Sequence, residues 1–384
     1  MLCLLQFLNS YRLSYCFMIG RYESQAIQRI VQNILSRNLK LLSASDKLVG
    51  MERHLKEMAS LIFIDSNDVR MIGINGIDGI GKTTLAKAVY NQIVHQFDGA
   101  SFLSNFSSHE MNLLQLQKQL LRDMLGEDIP RITDISKGAH VIRDMLWSKK
   151  VLVVLDDVDG TGQLEFLVIN RAFGPGSRII VTSRHKYLLA GYGLDALYEV
   201  KELNCKEAIQ LFALHALHMN SPQKGFINLS RCIVDYCKGL PIALEVLGSH
   251  LFGKKKFEWE SVLQRLEKRP NKEIQNVLMR GFQRLDDCHR EIFLDVACFF
   301  KGEDLDFVER ILEACNFYSK LGIKVLTDNS LISILDNKLL MHDLIQKSGW
   351  EIVREQYHTE PGKWSRLWDP EDVYHVLTTN TVRA

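Results

Sequence analysis

The stretch from Gly76 to Thr84, Gly-Ile-Asp-Gly-Ile-Gly-Lys-Thr-Thr, spaces its glycines, its lysine and its hydroxyls as a phosphate cradle requires. Gly76, Gly79 and Gly81 let backbone N–H groups curl around phosphate oxygens. The helix that follows offers its N-terminus, Lys82 reaches the terminal phosphates, and Thr83 offers a hydroxyl to Mg²⁺ with Thr84 beside it. The plain alternative is a glycine-rich turn without a ligand. Further on, the apolar run VLVVL ends in Asp156 and Asp157, as expected of a Walker B element beside the P-loop in an α/β NTPase. Asp156 would hold Mg²⁺ through water and Asp157 would orient an attacking water, whereas an acidic pair standing alone more often closes a solvated turn. The next apolar run ends in Thr182-Ser183-Arg184. That places a guanidinium at the carboxyl edge of a sheet, where it would report a γ-phosphate or simply be solvated. Pro241, after Gly239-Leu240, suits the first turn of a helix and would press on an adenine face. His342, in Met341-His342-Asp343, sits at a junction where a lone histidine is usually structural.

Such residues need a scaffold to bring them together. From Val69 to about Val200 short β-rich runs alternate with helical stretches, the mark of a parallel α/β sheet. The expected strands are VRMIGI (69–74), ASFLSNF (100–106), VLVVLDD (151–157), RIIVTSR (178–184) and ALYEV (196–200). After Leu203 the pattern is helical only, with Asn204 able to cap CKEAIQLFALHAL. Beyond Lys254 to Lys256 and Pro270, helices lead into LISILDNKLLMH, read as two short strands around an Asp336-Asn337 turn. The fold expected is α/β, a P-loop parallel sheet followed by a small helical domain and a winged-helix domain. The expected boundaries are an N-terminal segment and linker at 1–47, the nucleotide-binding domain at 48–202, the helical domain at 203–268, the winged helix at 269–358 and a linker at 359–384.

Composition narrows the partners. With 384 residues, 46% of them hydrophobic, the chain can bury two or three cores. Lys and Arg (47) nearly balance Asp and Glu (46), so no overall field draws it to nucleic acid or to a membrane surface. A winged helix can read DNA, but from Asn271 to Glu355 only 11 Lys and Arg face 15 Asp and Glu, the wrong sign for phosphate. The eight cysteines form no C-x-x-C pair and are expected as buried, reduced thiols of a cytosolic protein. The first twenty residues are apolar but are broken by Gln6, Asn9, Ser10 and Arg12, so neither a bilayer span nor a signal peptide is expected.

Taken in order, LVGMERHLKEM, GIDGIGKTTLAKAVYNQI, FDGASFL, KKVLVVLDDVD, GSRIIVTSRHKYLL, KGLPIALEVLGSHL, IFLDVACFFKGED and MHDLIQKSGWEIVRE resemble the NB-ARC module of the plant NLR disease-resistance family. That module is similar to the one in animal apoptosome scaffold proteins. Asp159, FLDVACFFKGED and EPGKWSRLWDPEDVYHVL resemble the subclass with an N-terminal TIR domain. The resemblance implies a molecular switch of plant innate immunity, ADP-bound at rest and ATP-bound when active, with Mg²⁺ and at most slow hydrolysis. It implies that Lys82 and Thr83 meet phosphate and metal, Asp156 and Asp157 serve metal and hydrolysis, Arg184 senses the γ-phosphate, Pro241 meets adenine, and His342 meets the ADP β-phosphate. It also implies self-association on activation, TIR and leucine-rich-repeat regions or effector targets as partners, and a cytoplasmic and also nuclear location. Ser183 departs from the threonine usual in the family. A complete TIR domain and leucine-rich repeats are not read in this sequence, so no NAD-cleaving activity is expected of it. The competing readings are a continuously turning-over P-loop ATPase and an adaptor or decoy form.

Overall fold

The computed structural model describes Leu42 and residues 48–104, 110–126, 129–160, 164, 165, 167, 171–357 and 360–379. The apolar N-terminal stretch, with Cys3 and Cys16, lies outside them. Helix α1 (Met51–Ile62) leads into β1 (Arg70–Asn75), and the glycine-rich turn then opens α2 (Lys82–Ile93). There follow β2 (Gly99–Leu103), α3 (Glu110–Leu125), α4 (Ile135–Leu146), β3 (Val151–Leu155), β4 (Arg178–Ser183), α5 (Lys186–Gly191) and β5 (Ala196–Glu199). The five strands are parallel, in the order β2-β3-β4-β1-β5.

In this order β4 lies between the P-loop strand and the strand ending in Asp156, pairing Asn75 with Ser183 on one side and Leu155 with Val181 on the other. The Asp156 carboxylate still stands beside the P-loop, as expected, accepting from the Thr83 hydroxyl at 2.9 Å. Every residue of β3 and β4 is buried, as an unbroken apolar run requires of a strand covered on both faces. One face packs Leu120, Ile142 and Leu146 of α3 and α4 on Val151, Val153 and Leu155. On the other face Met58, Leu85 and Val89 of α1 and α2 cover Leu152, Val154 and Ile180, and the same cluster continues through the helical region into the C-terminal helices. Arg178, fully buried, locks α1 to the sheet: its guanidinium donates to the carbonyls of Ile62 (2.7 Å), Phe63 (2.5 Å), Ser66 (3.0 Å), Asp68 (2.6 Å) and Ser177 (2.8 Å).

The helical region holds α6 (Cys205–Ala216), α7 (Ile227–Cys237), α8 (Pro241–Leu251) and α9 (Lys256–Lys268) around Phe212 and Trp259. Asn204 caps α6, its side chain accepting from Lys206 and Glu207 while Glu207 reaches back to the Asn204 N–H. Then come α10 (Lys272–Leu278), α11 (Arg280–Gln283), α12 (Asp287–Asp295), α13 (Leu305–Ala314), α14 (Ser319–Asp328), the hairpin β6 (Ser333–Leu335) and β7 (Lys338–Leu340), α15 (Asp343–Gln356) and α16 (Pro370–Thr379). Asp336 and Asn337 both adopt positive φ, 50° and 60°, as the tightest hairpin turn demands.

At the end of α12 the backbone widens into a π-helical turn, Val296–Phe300. The Ala297 carbonyl there accepts from Gln346 Nε2 (3.0 Å) and Trp350 Nε1 (2.9 Å) of α15. Residues 364–368 lie against the same helices. Buried Arg366 pairs with Asp295 (2.6 Å) and Glu291 (2.8 Å), and Trp368 stacks between Trp350 and Trp364. The cysteine expectation is corrected: the six described cysteines are free, but only Cys237 is buried, while Cys205, Cys232 and Cys315 are exposed on outward helix faces and ends. No helix among the described residues is long and apolar enough to cross a membrane.

Candidate functional site

The carboxyl ends of β1, β3 and β4 converge, and the glycine-rich turn lies on this edge of the sheet. Gly76, Gly79 and Gly81 all have positive φ (153°, 80° and 101°), which bends the chain into a loop that only glycine adopts without strain. At Gly81 a methyl group would meet nothing within 4 Å among the described residues, so the turn faces an open cradle. At Gly79 a methyl would lie 2.2 Å from Ile242 Cγ2. The loop therefore rests directly on the first turn of α8.

Lys82, first in α2, is 7% exposed. Its ammonium donates to the Gly76 carbonyl (2.9 Å) and the Ile77 carbonyl (3.1 Å) and lies 3.6 Å from Asp78. Burial lowers its pKa, partly offset by Asp78 and Asp157. The Thr83 hydroxyl donates to the Asp156 carboxylate at 2.9 Å, and the Thr182 hydroxyl does so at 2.7 Å. Burial raises the Asp156 carboxyl above its ordinary value, against the pull of these two hydroxyls. Thr84 stands half-buried one position further along α2.

Asp157 leaves the strand with φ 60° and projects outward, its N–H held by Thr182 Oγ1 at 2.8 Å. Ser183 does what a threonine hydroxyl would, donating to the Val158 carbonyl at 2.6 Å and accepting from the His185 N–H. Arg184, 4% exposed, is not a solvated residue. It pairs with Asp78 at 2.8 Å and approaches Asp157 at 3.6 Å, its Nε is buried without a hydrogen bond among the described residues, and its carbonyl accepts from the Ser330 hydroxyl in the link between α14 and β6.

Pro241 is the first residue of α8, and Ile242 next to it donates its N–H to the Gly79 carbonyl at 3.2 Å. Gly239 just before accepts from the Leu203 N–H at 3.0 Å. Ile242 was not singled out from sequence, since an apolar residue in a helix carries no chemical signal. His342 caps α15, Nδ1 accepting from the Leu344 N–H at 3.2 Å. Nδ1 therefore carries no proton and Nε2 does. Nε2 is buried; burial lowers the histidine's pKa, against the pull of Glu202, Asp343 and a loose hydrogen bond to the Lys238 main chain. Asp343 binds Lys301 and approaches Lys238 at 3.7 Å; its burial would raise its pKa, but these cations lower it.

A cleft of about 540 Å³ separates the start of the glycine-rich turn from the winged helix, lined on one wall by Gly76, Ile77 and Ile80 and on the other by Leu331, Met341 and His342. Glycine turn, lysine, hydroxyl, two aspartates and arginine thus meet at one sheet edge, Pro241 abuts it through Ile242, and His342 faces it across the cleft. The donor set suits a phosphate chain with Mg²⁺: an open glycine cradle, the N-terminus of α2, a buried ammonium, and a hydroxyl beside a carboxylate as hard oxygen donors.

Residues 51–222 match the family described as NB-ARC domain, and residues 286–357 match that described as Disease resistance protein Roq1-like, winged-helix domain. Disease resistance protein RUN1 of Vitis rotundifolia is 49% identical over 362 residues, which is 93% of this chain and 27% of RUN1. Disease resistance protein RPV1 of the same plant is 47% identical over 94% of this chain and 26% of its own length. TMV resistance protein N of Nicotiana glutinosa is 38% identical over 94% of this chain and 32% of its own length. The chain thus spans between 26% and 32% of the length of these relatives. Among solved structures, the Walker-type ATPase paby2304 of Pyrococcus abyssi aligns with a TM-score of 0.57 at 13% identity, covering 82% of this chain and 99% of that one, a likeness of fold alone.

Proposed function

Because the chain belongs to the NB-ARC family of plant disease-resistance proteins, we propose that it is a nucleotide-gated switch of plant immunity, closed on ADP and open on ATP. The observation that carries this reading is the shared cleft, in which the phosphate turn and the winged helix with its His342 form opposite walls. A bound nucleotide would supply phosphate charge and, with Mg²⁺, a hard cation for the oxygen donors. In this reading Lys82 neutralises the terminal phosphates, Thr83 and Asp156 hold the metal, Asp157 orients water for slow hydrolysis, and Arg184 answers the γ-phosphate. Pro241 and Ile242 bound the base side. His342, neutral and with its proton on Nε2, would donate to the β-phosphate and so hold the winged helix down. Opening would release the winged helix for self-association and for coupling to TIR and leucine-rich-repeat regions or effector targets, in the cytoplasm and the nucleus.

The test is mass analysis of nucleotide released by heat from the purified chain, joined to ADP release rates of parent and His342→Ala. Recovered ADP near one per chain with release accelerated about tenfold or more is expected, the equivalent of losing one hydrogen bond to a charged group. No bound nucleotide, or ADP release unchanged by His342→Ala, would overturn the switch.

A further inference from the structure

Asp78 sits in the middle of the glycine-rich turn, at a position where the phosphate-binding spacing accepts any residue. Yet its carboxylate is the hub of the charges there. One oxygen accepts from Arg184 Nη1 at 2.8 Å, and the other lies 3.6 Å from Lys82 Nζ. Lys82 is 7% exposed, Arg184 4%, and the Asp78 side chain 12%. Two buried cations from different elements, the start of α2 and the end of β4, thus share one carboxylate, with Asp157 a more distant and half-exposed second partner of Arg184. A buried charge stripped of its partner is strongly unfavourable, so nothing can draw Arg184 away unless it brings negative charge of its own. The arginine still has capacity for such a ligand, since its Nε is buried without a hydrogen bond among the described residues.

We propose that Asp78 is an internal counter-ion that competes with the terminal phosphate of a nucleotide for Arg184, and so sets a preference for the diphosphate over the triphosphate. The inference rests on the nucleotide-switch reading above. A diphosphate ends one phosphate short and leaves the Asp78–Arg184 pair intact. A γ-phosphate that engages Arg184 must break that pair and leave the Asp78 carboxylate without its closest cation. Asp78 is therefore a specificity-determining and positioning residue that acts through the arginine.

Isothermal titration with Mg²⁺-ADP and Mg²⁺-ATP tests this on four proteins: parent, Asp78→Asn, Arg184→Gln and the double variant. Asp78→Asn should shift the ratio of ATP to ADP affinity toward ATP by roughly tenfold, the scale of one partly screened charge contact. Arg184→Gln and the double variant should share one ratio, because without the arginine there is nothing for Asp78 to withhold. A change by the same factor for both nucleotides in Asp78→Asn would overturn the proposal. So would different ratios in Arg184→Gln and the double variant, a comparison that stands even if Asp78→Asn alone fails to fold. A parent chain that binds neither nucleotide would instead overturn the switch reading itself.

Discussion

Replacing Gly79 by alanine asks whether the phosphate turn and α8 move as one body. Gly79 has φ +80°, and a methyl built on it lies 2.2 Å from Cγ2 and 2.8 Å from Cβ of Ile242. Holding an L-residue in left-handed backbone costs about 1–2 kcal/mol. Forcing an extra methyl into packed surroundings adds about 1–3 kcal/mol, so Gly79→Ala should lose roughly 2–5 kcal/mol. Only the second share depends on Ile242. In Ile242→Ala the closest clashing atom is gone while the Cβ at 2.8 Å remains. The double variant should therefore recover about 1 kcal/mol relative to the sum of the single losses. Gly81→Ala is the control: at φ +101° with nothing within 4 Å among the described residues, it should lose the backbone share alone and show no coupling to Ile242. Denaturant unfolding of the single and double variants, in the absence of nucleotide, measures each difference. Strict additivity of Gly79→Ala and Ile242→Ala would refute the reasoning, because it would mean that α8 yields freely to the turn.

Three further outcomes are expected. Arg178→Met removes a fully buried guanidinium that satisfies five carbonyls and should lower stability by about 3–5 kcal/mol; a loss under about 1 kcal/mol in thermal or chemical unfolding would show that the α1 clamp is dispensable. Lys82→Arg should abolish nucleotide retention, since a planar fork cannot replace an ammonium seated on the Gly76 and Ile77 carbonyls; titration showing affinity within about threefold, under ~0.7 kcal/mol, would reject the phosphate role. Burial raises the folded pKa of Asp156 above its unfolded value, so its proton favours the fold at low pH, and that contribution is lost as pH rises through the folded value. Asp156→Asn should then unfold at a higher temperature than the parent at neutral pH without Mg²⁺, the gain fading below the ordinary carboxylate range; an equal or lower midpoint at neutral pH would contradict it.

Local signals were readable in advance. The turn from Gly76 to Thr84, the apolar β3, the Asn204 cap and the Asp336-Asn337 hairpin each depend on neighbours a few residues away, and all stand as the sequence implies. Strand order was not readable, because parallel pairing joins β4 to β1 across long crossovers and leaves no trace in either strand's own pattern. The same limit hid the Asp78–Arg184 pair, whose members lie 106 residues apart, and the seat of Gly79 on Ile242. The π-helical turn at Val296–Phe300 has no mark of its own in the sequence. What distinguishes it is the Ala297 carbonyl turned toward α15, a contact decided by packing. Cysteine burial departs from expectation for a similar reason: an apolar helical pattern says that one face is covered, not which face a given thiol occupies.

The tryptophan stack gives the molecule an optical gauge of its own. Trp350 and Trp368 are 5.8 Å apart at 19°, Trp364 and Trp368 are 5.9 Å apart at 20°, and the Arg354 guanidinium lies 5.3 Å above Trp368. Indoles so close and so nearly parallel share their excitation, so they act as one coupled chromophore whose circular dichroism and emission differ from those of separate rings. The chain has five tryptophans; the other two, solvent-facing Trp147 and enclosed Trp259, lie elsewhere in the fold. Peeling residues 364–368 away from α15 would uncouple the chromophore while leaving Trp147 and Trp259 unchanged. Loosening of that strap can therefore be followed by light alone, without a label and apart from any melting of the sheet.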